Sequence, residues 1–313
     1  MGSFASLRMT EGTVSLCMQS TRGLFALALA ALCISLAHAQ SRIDCSVLQS
    51  HALKQRVHYC VLLPSGYDEA VAKRPAKQYP VLYSLHGLGD NEQSLFRSGG
   101  WNLIENLRKQ HKLGDFLIVT PEGRATFYIN SADGRVRYSD FFLGEFIPYI
   151  EGKYSIRRGR ASRGITGVSM GGYGALRFAF AHPELFGSVS TQSAALMDEQ
   201  SLGAGRLESQ LGGLLGGVFG NPIDHGHWKR NDPLALAKLN AGAIRGMAIY
   251  FNCGRNDEYG FAAGAEALHR QLRAQGIKHE YHSYPGNHSA SYFLAHIAET
   301  MEFHSRAFES GRQ

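Results

Sequence analysis

The chain has 313 residues, of which 44% are hydrophobic and 19% charged, and a formal net charge of +6 at pH 7. This is globular material with enough apolar residues for a large core. Thirty-six glycines without a collagen period are too many for a helical bundle, and the densest basic run, "RRGRASR" over 157–163, lacks the interleaved aromatics of a nucleic-acid groove, so no nucleic-acid partner is expected.

At the N-terminus, "STRGLFALALAALCISLAHAQ" joins Arg22 to an apolar stretch over 23–37 and then to "AHA". The pattern predicts a secretory signal over residues 1–39 with cleavage after Ala39, and Met18 stands as an alternative start. The apolar stretch is short for a transmembrane helix, which needs ~20 residues. No stable membrane insertion is expected after cleavage, and the destination is secreted or periplasmic. One domain is expected over 40–313.

Next come two strand-like runs, "SRIDCSVLQS" and "QRVHYCVLLP", joined by "HALK". A hairpin centred between Ala52 and Leu53 sets Cys45 opposite Cys60, and an exported chain permits a disulfide there. Short apolar runs ending in turns then recur at 79–87, 116–123, 163–169, 186–194 and 246–254, and a last strand is expected over 279–286. Such runs suit strands buried on both faces. Helical patterns fill the intervals at 92–110, 141–154, 170–181, 233–241, 261–275 and 289–308. The alternation predicts an α/β fold, a doubly wound, mostly parallel sheet with antiparallel N-terminal edge strands. Residues 197–230 are longer than a plain connection and suit a lid or a surface excursion. Within them His225 and His227 have metal-pair spacing but no carboxylate or cysteine beside them, so no metal is expected. Cys253 falls in an apolar strand as a small core residue.

One strand-to-helix junction carries chemistry. "GVSMG", Gly167 to Gly171, is G-x-S-x-G between a predicted strand and a predicted helix, the context of a nucleophile elbow. Glycines let strand and helix approach around the turn, and the Ser169 hydroxyl sits at a helix N-terminus that favours developing negative charge. A serine alcohol needs a base, and the base needs a carboxylate. "CGRNDEYG" ends a later strand and offers Asp257 or, one residue on, Glu258; "PGNHSASYF" follows the last strand and offers His288. His282 within a strand, His296 within a helix and His182 before a proline are weaker bases. "LHGLGD" over 85–90 supplies a glycine turn for an oxyanion hole, with the N–H groups of Leu88 and Met170 as donors and Gly87 as the near alternative. His86 is then a structural turn residue.

These segments, with "FFLGEFIPYIEGKY" and "GITGVSMGGYGALRFAFAHPELFGSVS", resemble the esterase D / feruloyl esterase / antigen 85 group of α/β hydrolases across nearly the whole of 40–313. The resemblance implies an α/β-hydrolase fold, a serine esterase with Ser169, Asp257 and His288 as triad, and no metal or organic cofactor. It implies a small-molecule or saccharide-linked ester substrate. A mycolyl-type acyltransferase, a formylglutathione-type thioesterase and a non-catalytic binding module on the same fold are the alternatives.

Overall fold

The computed structural model describes residues 41–197 and 205–311. The signal segment expected over 1–39, and part of the 197–230 stretch, lie outside them. Eight strands form one sheet: β1 (Arg42–Ser50), β2 (Gln55–Leu63), β3 (Val81–Leu85), β4 (Leu117–Pro121), β5 (Arg163–Val168), β6 (Ser188–Gln192), β7 (Ala248–Gly254) and β8 (Glu280–Tyr284). Their order is β1-β2-β4-β3-β5-β6-β7-β8. The β1/β2 and β2/β4 pairs are antiparallel, and all the others are parallel. This is the α/β-hydrolase architecture with its antiparallel edge.

Strand side chains alternate between faces, and along β3 to β7 both faces are covered, which is why these strands read as apolar runs. Leu62, Leu82 and Ile118 pack with Ile104, Phe116, Met301 and Phe308 on one side. Val61, Tyr83 and Val119 pack on the other with Phe142, Phe146 and Phe178. The hairpin has the expected register, with Cys45 opposite Cys60, and a disulfide joins them. Its turn is clasped from outside: the Glu145 carboxylate accepts hydrogen bonds from Ser50 Oγ and from the N–H groups of His51 and Ala52, at 2.8–3.1 Å.

Four helices differ from their expected form. The 92–110 helix is two, Ser94–Arg97 and Gly100–Lys109, because the chain turns at Gly99 with φ +94°. The 289–308 helix breaks at His296 into Ala290–Ala295 and Ile297–Ser310. The 141–154 helix starts earlier, as Tyr138–Phe141, widens through a π-helical turn over Phe142–Phe146 and continues as Ile147–Lys153. Pro233–Leu239 is followed by a separate turn of helix, Ala241–Ile244. A further short helix, Tyr67–Ala72, lies between β2 and β3.

The 197–230 stretch is the largest correction. It holds two helices, Gly205–Phe219 and His225–Asn231. Each interior glycine costs ~1 kcal/mol relative to alanine, yet Leu211, Leu214, Leu215 and Val218 follow helical spacing. Leu215, Val218 and Phe219 are buried. Phe219 meets the rings of Phe127, Tyr173 and Trp228. Burial of that face outweighs the glycine cost.

Candidate active site

Ser169 stands between the end of β5 and the first turn of the Met170–Ala181 helix. Its backbone is held at φ 54°, ψ −120°, a conformation costing of order 1–3 kcal/mol that only surrounding structure can impose. Three hydrogen bonds impose it: Ser169 N–H donates to the Gln192 carbonyl, and the Ser169 carbonyl accepts from Tyr173 N–H and Ala195 N–H, each at 3.0 Å. The flanking glycines are required by space. A Cβ at Gly171 would overlap the Leu85 carbonyl, and one at Gly167 would overlap the Gly171 carbonyl.

Two later turns bring the other groups to this serine. Asp257 lies in the turn after β7, and His288 in the loop between β8 and the Ala290–Ala295 helix. His288 Nε2 is 2.8 Å from Ser169 Oγ, and His288 Nδ1 is 2.7 Å from Asp257 Oδ2. An ionised carboxylate only accepts, so the proton belongs on Nδ1, and the Nε2 lone pair faces the serine hydroxyl. The Asp257 side chain is fully buried. Its Oδ1 accepts the N–H groups of Tyr259 and Phe261 at 3.1 and 3.4 Å, so the carboxylate has neutral donors on the side away from the imidazole. Tyr259, Phe261 and Phe293 surround the His288 ring edge-on, with centroids 4.9, 5.4 and 5.2 Å away. That packing fixes its plane.

Leu88, Met170, Ser169 and His288 share one cleft with Phe127, Ala195, Leu211, Tyr259 and Phe261. The expected oxyanion donors thus border the same space as the serine and the histidine. A Cβ at Gly87 would lie 3.6 Å from Ser169 Cβ, so the glycine turn runs directly past this serine. The arrangement can transfer a proton from the serine to the imidazole while an ester carbonyl sits against backbone donors.

The remaining candidates fall elsewhere. His282 lies in β8 between the rings of Tyr250 and Tyr284, His296 pairs with Glu299, and His182 pairs with Glu184. His225 and His227 open a short helix, where His227 N–H is capped by Asp224. Among the described residues no group of three or more His, Cys, Asp or Glu side chains could hold a metal ion. Glu258 does not face the imidazole; its carboxylate accepts the backbone N–H of His288 at 2.9 Å. Cys253 is a free, buried thiol as expected, but it also touches the acid, with Sγ 3.7 Å from Asp257 Oδ2. Burial pushes its pKa up to about 12, so it stays a thiol and donates. The cleft walls Phe127, Leu211, Tyr259 and Phe261 were missed in the sequence, and only the last two carried a signal, their place next to the acid.

Residues 50–304 match the protein family described as "Putative esterase". The chain is 29% identical over 246 residues to an esterase of Mycobacterium tuberculosis, covering 73% of this chain and 51% of that one. It is 24% identical over 269 residues to an acetyl esterase of Caldicellulosiruptor saccharolyticus, covering 82% and 96%. The chain thus spans about half the length of the mycobacterial relative. A solved ferulic acid esterase superposes with a TM-score of 0.73 at 23% identity, covering 86% of this chain and 99% of that one, a likeness of fold.

Proposed function

The chain belongs to the "Putative esterase" family and has a carboxylesterase-type hydrolase domain, and on that premise we propose that it hydrolyses short-chain or aromatic carboxylic esters through an acyl-enzyme on Ser169. The observation that carries this reading is the unbroken hydrogen-bonded chain from Ser169 Oγ through His288 to Asp257. His288 Nε2 takes the hydroxyl proton as Oγ attacks the ester carbonyl, and the imidazolium that forms faces the Asp257 carboxylate. Charge collects on the carbonyl oxygen, where the N–H groups of Leu88 and Met170 are the donors. The imidazolium returns its proton to the departing alcohol. Water, deprotonated by the same nitrogen, then releases the acid and frees the serine.

The acyl range follows from the walls. Leu88, Phe127, Met170, Ala195, Tyr259 and Phe261 leave a narrow, apolar, partly aromatic cleft, which suits a short aliphatic chain or a flat aryl group over a long lipid. The acetyl esterase among its relatives agrees with the short end of that range. The alcohol is a small-molecule or saccharide-linked hydroxyl, and the leader over 1–39 sends the protein to the periplasm or beyond. No helix among the described residues is long and apolar enough to cross a membrane.

The test is a fluorophosphonate probe on the folded protein, followed by p-nitrophenyl esters from acetate to palmitate with methyl ferulate beside them. Labelling at Ser169 is expected, with kcat/KM highest for acetate, butyrate or ferulate and falling with longer chains. A folded protein that is neither labelled nor active on any ester would leave a binding module instead. Transfer to added trehalose or glycerol with little free acid would make it an acyltransferase.

A further inference from the structure

We infer that His86 is a positioning residue for the oxyanion hole: its ring holds the Gly87 carbonyl, and thereby turns the Leu88 N–H toward Ser169. The inference rests on the reading of Leu88 as an oxyanion donor, and the experiment below separates the two.

Residues Gly87 to Asp90 form a tight turn, closed by Asp90 N–H donating to the Gly87 carbonyl at 3.2 Å, with Gly89 at φ +84°. That is a type II turn with glycine at its third position, as such turns require. The Gly87 carbonyl accepts a second, shorter hydrogen bond, from His86 Nδ1 at 2.8 Å. In a planar trans peptide the carbonyl and the following N–H point in opposite directions. Pinning the Gly87 oxygen therefore pins the Leu88 N–H on the other side of the peptide. Glycine at 87 leaves that peptide free to rotate, so its orientation has to come from hydrogen bonds. The turn closure supplies one and His86 the other.

His86 is suited to the task because its other nitrogen is occupied. Nε2 accepts the Gly123 N–H at 2.7 Å, which fixes the tautomer with the proton on Nδ1, where it donates to Gly87. The His86 carbonyl accepts from Tyr128 Oη at 2.9 Å. Tyr128 is seated between glycines, since a Cβ at Gly123 or Gly174 would overlap its ring. His86 is itself only 8% exposed. The His86 ring and the His86 carbonyl are thus both tied to the segment that follows β4.

Two substitutions divide the ring's functions. In His86→Asn the side-chain nitrogen stands where Nδ1 was and can still donate to Gly87, while Gly123 N–H loses its acceptor. In His86→Gln the side-chain oxygen reaches the place of Nε2, and the donor to Gly87 is lost. Loss of an oxyanion donor costs about 10²–10³-fold in kcat. His86→Gln is expected to lose kcat by at least about 10-fold, within that ceiling, with KM little changed, whereas His86→Asn stays close to the parent. Binding of an alkylboronic acid, whose tetrahedral adduct puts an oxygen in the hole, should weaken in step with kcat. Leu88→Pro suits the second position of the turn and deletes the N–H outright, so it tests the underlying reading. If Leu88→Pro is fully active, Leu88 is not a donor and the role of His86 falls with it. If Leu88→Pro is impaired while His86→Gln matches the parent, the inference about His86 alone is overturned. Folded Asn and Gln variants that are equally impaired would also overturn it, in favour of a packing role. Nitrogen-15 shifts of the unsubstituted protein give a check independent of any variant's folding: the His86 proton is expected on Nδ1, and a proton on Nε2 would overturn the inference.

Discussion

Glu258 reaches His288 through the backbone, accepting its N–H at 2.9 Å, while the neighbouring Asp257 carboxylate meets the same residue's ring at 2.7 Å. Two adjacent acids thus serve one histidine in different ways, one setting where the loop lies and the other setting which ring nitrogen carries the proton. Asp257→Asn should lower kcat by several orders of magnitude, because an amide can present its N–H to Nδ1 and favour the wrong tautomer. Glu258→Gln keeps an acceptor oxygen and should change kcat little, whereas Glu258→Ala frees the loop and should fall between the two. Steady-state kinetics of the three variants check this; a Glu258→Gln loss as large as that of Asp257→Asn would reassign the acid.

In the proposed mechanism Ser169 Oγ and His288 Nε2, 2.8 Å apart, act on one proton, so removing either leaves the other without a task. Ser169→Ala and His288→Ala should each cost several orders of magnitude in kcat, with the double variant little worse than either single one. Single-turnover assays on a p-nitrophenyl ester decide it. Losses that multiply would show two groups working independently.

Much of this site was legible in the sequence because its parts sit at strand ends, where the chemistry needs marked residue types. The glycines around Ser169 could be read from steric need, and the order serine, acid, histidine from the order of the strands. Residue spacing leaves either Asp257 or Glu258 able to face the base, and the structure puts Asp257 Oδ2 against His288 Nδ1. Less legible was whatever depends on distant packing. Phe127 and Tyr128 both adopt positive φ, 51° and 60°, which nothing in "RATFYIN" announces, since the strain is held by neighbours from other segments. The Gly205–Phe219 helix was hidden because its glycines argue locally against helix, and the apolar face that overrides them shows its value only against Tyr173 and Trp228. Glu145 and Glu258 both act on backbone N–H groups far along the chain, a kind of contact that leaves no pattern in residue spacing.

At the opposite end of β5 from Ser169, the Arg163 guanidinium meets the Glu151 carboxylate twice, Nε to Oε1 at 2.6 Å and Nη2 to Oε2 at 2.8 Å. Both side chains are about nine-tenths buried. Arg163 also donates to the Leu185 carbonyl at 2.7 Å, tying the pair to the loop before β6. Glu151→Ala leaves a buried cation unpaired and should cost about 3–5 kcal/mol of stability. A urea titration would show it as a lower midpoint, while kcat of the protein still folded at 25 °C should be unchanged, since the pair stands a full strand away from the serine. A midpoint within error of the parent would mean that water or neighbouring carbonyls replace the carboxylate.

His304 lies beneath the same strand, fully buried, with Ser188 Oγ 2.8 Å from Nδ1 and Ser190 Oγ 2.9 Å from Nε2. Gly164 makes room for it, since a Cβ there would lie 2.8 Å from Nδ1. Burial lowers its pKa to about 3, against ~6.5 for a histidine in an unfolded chain. Between those values the unfolded chain binds a proton that the folded one refuses, so stability rises with pH across that window. The contribution is fully present above about pH 6.5 and is lost as pH falls toward 3, at a limiting slope of roughly 1.4 kcal/mol per unit. His304→Gln can bond at least one of the two serines and does not titrate. Its stability, measured by urea unfolding from pH 7 down to pH 4, is expected to be lower than the parent's at neutral pH but to fall less steeply with acid. Parallel curves for the two proteins would assign the acid sensitivity to carboxylates elsewhere and leave His304 a packing residue only.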